Sequence, residues 1–169
     1  MKILGMSSRK IELPDFSLWK DKSIKVAGLT FAPEDFCINK KTTMLCLKRF
    51  FSYPEAMECE EKILIPNGWR FPTEKEWKKV VDEFEGDTDD LCRHIGIRCY
   101  GYVPSYSMDE YYEPANYAFE FCHESLRGYY WSRDMSFRNY AYYLQLGRRA
   151  DVGYTTIWDG LLLRCVSLK

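Results

Sequence analysis

The chain has 169 residues, with 24 Lys and Arg against 25 Asp and Glu and a net charge of −1. That length suits one domain with a real core, and the near-neutral balance gives no electrostatic argument for nucleic acid or an acidic membrane surface as a partner. No apolar run is long enough to span a bilayer, and residues 1–10 hold too short an apolar core for a secretory signal, so the expectation is a chain that is cytoplasmic when synthesised.

Residues 1–22 are polar with scattered apolar positions (Ile11, Leu13, Phe16, Trp19) and read as an N-terminal arm or edge segment, leaving 23–169 as a single domain. Alternation over 24–32 predicts one strand with both faces partly covered. Pro33-Glu34-Asp35 reads as a turn and 39–43 as a polar loop, after which Met44 to Leu47 and Phe50-Phe51 mark a second strand. Ser52-Tyr53-Pro54-Glu55 is a capping box that opens a helix over about 53–63, with Pro54 tolerated in the first turn. Pro66-Asn67-Gly68 closes it.

The next stretch, Trp69-Arg70-Phe71-Pro72-Thr73-Glu74-Lys75-Glu76-Trp77, puts bulky aromatics on both sides of a tight corner. Pro72 holds Phe71 out of the helical region. Thr73 and Glu76 form a second capping box, and Trp77, Val80, Val81 and Phe84 recur at the spacing of one buried helical face. Trp69 and Trp77 are expected in the core, and Gly86 is the expected stop. Asp87 to Asp90 cap a short third helix that reaches His94 and ends at Gly96. From 96 onward the pattern is β: alternation over 97–103, an aromatic and acidic loop at 104–114, a short strand at 118–121, and strands at 128–132, 140–146 and 161–166. Helices followed by many short strands indicate an α+β fold.

The seven cysteines include no pair at C-x-x-C spacing and read as free thiols, with Cys46 and Cys165 as small core residues. The two histidines, in Cys92-x-His94 and Cys122-His123, fit no zinc pattern, so no metal is expected. No G-x-S-x-G elbow and no glycine-rich phosphate loop occurs, and no other cofactor is implied. Aromatic residues make up 17% of the chain, including 13 Tyr. Their concentration between Tyr100 and Tyr154 suits either a binding face or broad sheet packing. The polar segments 133–139 and 147–159 supply the candidate ligand-binding residues: Arg133, Asp134, Ser136, Phe137, Arg138, Arg148, Arg149, Asp151, Tyr154, Thr156, Trp158 and Asp159. Exposed aromatics among arginines have the composition of an interaction hot spot. The alternative is an ordinary strand surface with Phe137 and Trp158 turned inward.

Four motifs in order carry a family resemblance. Asn67-Gly68-Trp69-Arg70-Phe71-Pro72-Thr73-x-x-Glu76-Trp77 resembles the GWRLPT-x-x-EW segment of formylglycine-generating-enzyme-like and related C-type-lectin-fold proteins. Gly128-Tyr129-Tyr130-Trp131-Ser132, Ala141-Tyr142-Tyr143-Leu144 and Gly160 to Val166 resemble the ending of the Fibrobacter succinogenes major paralogous domain group of gut bacteria and their phages. The match covers about residues 45–166. It implies a C-type lectin fold, with two main helices beside a small twisted antiparallel sheet and the early and late strands adjacent. Relatives include variable proteins diversified by retroelements, in which the segment corresponding to Arg133 through Asp159 faces a ligand. Trp158 cannot arise by adenine-only change of an Asn codon, which argues for a fixed surface at that site. The enzyme branch's Gly-Asn-Val-Trp-Glu-Trp signature and terminal cysteine pair are missing, as Cys165 stands alone. Calcium-binding lectin motifs are also broken, at Ala115 within Glu113-Pro114-Ala115-Asn116 and at Trp158-Asp159-Gly160. The resemblance therefore implies a non-enzymatic module that recognises a protein or glycan on a cell or virion surface, with virion association through receptor binding or decoration as its extension. The competing readings are an oxidase on the formylglycine-generating scaffold and a homo-oligomeric structural subunit.

Overall fold

A computed structural model describes residues 11–13, 15–41, 45–62, 64–105 and 127–167. The loop expected to run to 114, the strand expected at 118–121 and the Cys122-His123 pair lie outside the described residues, apart from Pro104 and Ser105. The elements in order are β1 (Ile11–Glu12), β2 (Ile24–Val26), β3 (Leu29–Asp35), β4 (Ile38–Lys41), β5 (Leu45–Lys48), α1 (Tyr53–Glu61), β6 (Trp69–Arg70), α2 (Glu74–Glu83), α3 (Thr88–Ile95), β7 (Gly128–Phe137), β8 (Tyr140–Leu146), β9 (Asp151–Thr156) and β10 (Arg164–Ser167). The fold is α+β. Among the described residues the strands form three antiparallel sheets, ordered β1-β4-β5, β2-β3-β10-β6 and β7-β8-β9.

The predicted helices form for the predicted reasons. Ser52 and Thr73 both close complete capping boxes, with Glu55 and Glu76 returning the bond to the cap amide. Asp87 caps α3, and Gly96 ends it in the left-handed region. After α2 the turn uses two left-handed residues, Glu85 and Gly86, and the Gly86 amide reaches back to the Val81 carbonyl.

The strands differ from expectation where local alternation hid a turn. Residues 24–32 are a hairpin rather than one strand. Ala27 and Gly28 both have positive φ, the geometry that matches strand twist in a two-residue connection. Pro33-Glu34-Asp35 is no turn but the end of β3. Pro33 lies beyond the last β2 pair, Ile24 with Phe31, where a missing N–H costs no bond to that neighbour. Asn39 to Lys41 belong to β4 and pair with β5, so the expected polar loop is largely strand. Of the alternating 97–103 stretch, only 101–103 makes bridges. The polar segment 133–139 continues β7 out to Phe137, and 147–159 contains a whole strand, β9. The closing strand starts at Arg164, and residues 160–162 before it make single bridges to Val103, Phe51 and Tyr130.

Two contiguous clusters fill the interior. One gathers Trp19, Phe36, Phe51, Phe71, Trp131 and Leu163; the other gathers Phe31, Trp77, Val80, Leu91, Tyr130, Leu144 and Val166. The N-terminal segment contributes to the first, since Trp19 is buried against Phe16 and Trp69 and donates its indole N–H to Glu34. The last strand, β10, pairs with the early strand β3 on one side and β6 on the other. Arg164, almost wholly buried, links these layers. Its Nη1 donates to Ala32 O and its Nη2 to Gly96 O, and its Nε faces Asp35 Oδ1 at 3.0 Å. Among the described residues, no helix is long and apolar enough to cross a membrane.

The Trp corner is only partly core. Trp77 and Phe71 are fully buried, whereas Trp69 keeps a solvent-facing edge. Trp77→Ala is expected to cost about 3–5 kcal/mol in denaturant unfolding, and Trp69→Ala clearly less. At Gly128, a Cβ would meet the Arg98 carbonyl at 2.5 Å, a backbone contact that cannot swing aside. Gly128→Ala is expected to lower stability by about 1–3 kcal/mol, the usual range for overpacking a tight site, and no change in unfolding midpoint would contradict this close approach.

Candidate functional site

The β7–β8–β9 sheet carries every candidate strand residue, and its two ends behave differently. The face bearing Leu144, Leu146 and Val152 packs under α2, against Trp77, Val80 and Val81. The same face continues outward through Tyr142, Tyr154, Tyr140 and Thr156, because Tyr142 opposes Tyr154 and Tyr140 opposes Thr156. Phe137 is paired with Tyr140 across the turn of Arg138 and Asn139, with Asn139 in the left-handed region. The rings form one cluster. Phe137 stacks on Tyr140 at 4.6 Å, Tyr154 meets Phe137 edge-on at 5.6 Å, and Tyr142 meets Tyr154 edge-on at 6.4 Å.

This cluster is open to solvent. Met135, Phe137, Tyr140, Tyr154 and Trp158 are between 38% and 55% exposed, and among the described residues Leu13 and Leu18 are the only other large hydrophobics so exposed. Met135 opposes Ala141 and so lies on the sheet's other face. Trp158 sits in the turn after β9, which the Ile157 amide fastens to the Asn139 carbonyl at the hairpin tip. Asp159 organises that turn. Its carboxylate accepts from the Ser105 amide and the Thr155 hydroxyl, and burial holds its pKa above the usual value despite both bonds.

Nine of the twelve candidate residues thus gather at one end: Arg133, Asp134, Ser136, Phe137, Arg138, Tyr154, Thr156, Trp158 and Asp159. Arg148, Arg149 and Asp151 do not join them. The Gln145–Asp151 pair lies five residues from the Tyr140–Thr156 pair, roughly 17 Å along the strand. That far end is fastened to the α2–α3 turn through Arg149 to Glu85 O, Ala150 N to Gly86 O and Gly147 N to Thr88 Oγ1. Tyr140 and Tyr142 were absent from the sequence-derived set. Their i, i+2 spacing next to a two-residue turn was the signal, since it puts both on the face that Phe137 reaches.

The outer half of β7 is held by a network rooted in α2. β7 carries extra residues relative to β8 between Trp131 and Met135, and the bulge turns Asp134 toward the helix start. Asp134 Oδ2 accepts from the Glu74 amide at 2.6 Å, a carboxylate on a helix N-terminus. The Arg133 amide donates to Pro72 O, its carbonyl accepts from Tyr53 Oη, and its guanidinium pairs with Glu60, which also accepts from the Phe71 amide. Burial, with the Asp134 and Glu60 charges, pushes the Tyr53 phenol up to about 12. Arg133 and Asp134 therefore position the tip at least as much as they decorate it.

Free thiols stand at Cys37, Cys92, Cys99 and Cys165. Burial raises the thiol pKa of Cys37 to about 11, of Cys92 to about 12, of Cys99 above normal, and of Cys165, wholly buried, well above its usual value. No group of three or more His, Cys, Asp or Glu among the described residues is arranged to hold a metal ion. No protein-family model, curated protein or solved structure matched the chain.

The α2 start also sets an acid limit. Burial pushes Glu76 up, but the Arg70 fork and the Thr73 bonds outweigh it, and its pKa lies below the ordinary 4.5. The depressed value means that the paired carboxylate stabilises the fold above the ordinary Glu range, and that this stabilisation is lost as pH falls through the lowered value. Denaturant titrations at stepwise lower pH are expected to show that loss, and Glu76→Gln to flatten it.

Proposed function

We propose that the chain is a non-enzymatic binding module whose recognition surface is the β7–β8 hairpin tip with the neighbouring β9 turn. The observation that carries this reading is the exposed ring cluster of Phe137, Tyr140 and Tyr154, with Trp158 in the turn alongside. Clustered aromatic rings at one end of a rigid sheet supply contact area at low conformational cost, and phenol hydroxyls add directional bonds. The partner is a protein or glycan surface on a cell or virion. A receptor-binding or decorating role in a phage-related particle follows from the family resemblance alone. The finer assignment of the fold as C-type lectin rests on the same resemblance, and the antiparallel pairing of the early strand β3 with the last strand β10 supports it. The buried Cys165 thiol disfavours an oxidase that would use it as a nucleophile.

The test is binding of the wild-type chain, Phe137→Ala and Tyr154→Ala to arrayed glycans and to bacterial surface proteins. Each substitution is expected to change unfolding free energy by under about 1 kcal/mol, as for exposed positions, and to weaken binding by about 30-fold or more if it removes a hot spot. Retained binding by both variants would remove the tip from the recognition surface. Sedimentation of the wild type and Phe137→Arg separates the structural-subunit reading, in which the wild type self-associates and the variant does not.

A further inference from the structure

The β7-β8-β9 sheet ends on β9, which among the described residues has β8 as its one strand neighbour. Its pairing with β8 is regular along the whole of Asp151–Thr156, with no register shift. The strand holds neither Pro nor Lys, the residues that commonly blunt a sheet edge, and none of its side chains is fully buried.

The register fixes which backbone groups face outward. Bonded and unbonded pairs alternate along an antiparallel ladder. The Ile157 amide donates to the Asn139 carbonyl, one step beyond the Tyr140–Thr156 pair. Asp151, Gly153 and Thr155 therefore bond to β8, whereas Val152, Tyr154 and Thr156 turn their N–H and C=O groups away from it. Three contacts agree with this phase. The Ala150 amide, two residues before Val152, donates to the Gly86 carbonyl. The Val152 amide donates to Asp151 Oδ1 at 2.7 Å, and the Thr156 carbonyl accepts from the Asp159 amide at 3.3 Å. These bonds close the edge at both ends. Between them, the Val152 carbonyl, the Tyr154 amide and carbonyl and the Thr156 amide have no hydrogen-bond partner among the described residues.

We propose that β9 pairs with β9 of a second copy of the chain, antiparallel about a two-fold axis at Tyr154, so that the two sheets run on as one. The pattern of open and closed groups selects this occupant. About that axis Tyr154 exchanges both bonds with the partner's Tyr154, and each Thr156 amide donates to the other chain's Val152 carbonyl. Every open group on both chains is used. The Val152 amide and the Thr156 carbonyl face each other across the axis, and each is already bonded within its own chain. An antiparallel segment of another sequence brings an open carbonyl against the Val152 amide and an open amide against the Thr156 carbonyl, and both stay unmatched.

The side chains fit the same axis. Tyr154 opposes Tyr154 and Val152 opposes Thr156, an aromatic pair flanked by β-branched pairs, with no like charges opposed. The interface uses one patch on both copies and closes as a dimer. Opposed residues share a face of the sheet, so the rings of Phe137, Tyr140 and Tyr154 from both copies lie on one side of it. The pairing rests on backbone groups, and its failure leaves the recognition reading of the tip untouched.

The experiment is sedimentation equilibrium of the full chain over a range of concentrations, with amide hydrogen exchange measured at the dilute and concentrated ends. A monomer–dimer equilibrium is expected. The Tyr154 and Thr156 amides are expected to exchange about tenfold or more slowly in the dimer, while the Gly153 and Thr155 amides, already bonded to β8, change far less. Thr156→Pro removes an N–H that β8 does not use, so the dilute variant is expected to keep its unfolding midpoint. It also removes two of the four interchain bonds and is expected to raise the dimer dissociation constant at least about tenfold. Phe137→Arg, whose side chain takes no part in the edge, is expected to stay dimeric. A wild type that is monomeric throughout, or a dimer whose Tyr154 and Thr156 amides gain no protection, would overturn the pairing. So would a dimer kept by a folded Thr156→Pro, or one lost in Phe137→Arg. Should Thr156→Pro fail to fold, the wild-type exchange rates decide.

Discussion

Two tryptophans tie the molecule together through their indole N–H groups rather than through ring area alone. Trp77, on α2, donates to the carbonyl of Trp131 on β7 at 3.3 Å, and Trp131 donates in turn to the carbonyl of Phe51 at 2.7 Å. Phe51 exchanges backbone bonds with Leu161, just before the last strand. A single relay thus connects the second helix, the strand β7, the start of the first helix and the C-terminal segment. All four residues are buried, where an indole donor without a partner is costly. The arrangement therefore admits one relative placement of these elements.

The proposed recognition surface depends on that relay at one remove. β7 leaves the buried Trp131, bulges, and emerges beside the start of α2, where the Glu74 amide holds Asp134 and Glu60 of α1 holds Arg133. Only then does it reach Phe137. The tip is thus the far end of a braced beam, and its rings are free to meet solvent because the bracing is finished before they begin. Such a surface would meet a partner with little ordering left to do.

How much of this was legible in the sequence follows from the range of the forces involved. Helices were readable because their signals are local: Ser52 with Glu55, Thr73 with Glu76, and Asp87 with Gly96 act within a few residues. Strand limits were not, because pairing is decided by distant partners. Asn39 to Lys41 become strand only because β5 returns beside them, and Pro33 stays in a strand only because β2 has already ended. At the candidate site, composition found Phe137 and Tyr154 but could not tell that Arg148 and Arg149 belong to the opposite end of the sheet. Proximity along the chain, across one turn and one strand, was mistaken for proximity in space.

The extra residues of β7 between Trp131 and Met135 have a consequence for how the sequence can change. A strand without them would transmit any shift at its outer end inward, exchanging the sides of every residue down to Trp131. With them, the inner pairing of Tyr129 to Trp131 against Tyr143 to Gln145 is uncoupled from the outer pairing of Phe137 with Tyr140. Lengthening or recoding the distal hairpin would then leave the interior ladder in place, which makes this the natural graft point for a different loop.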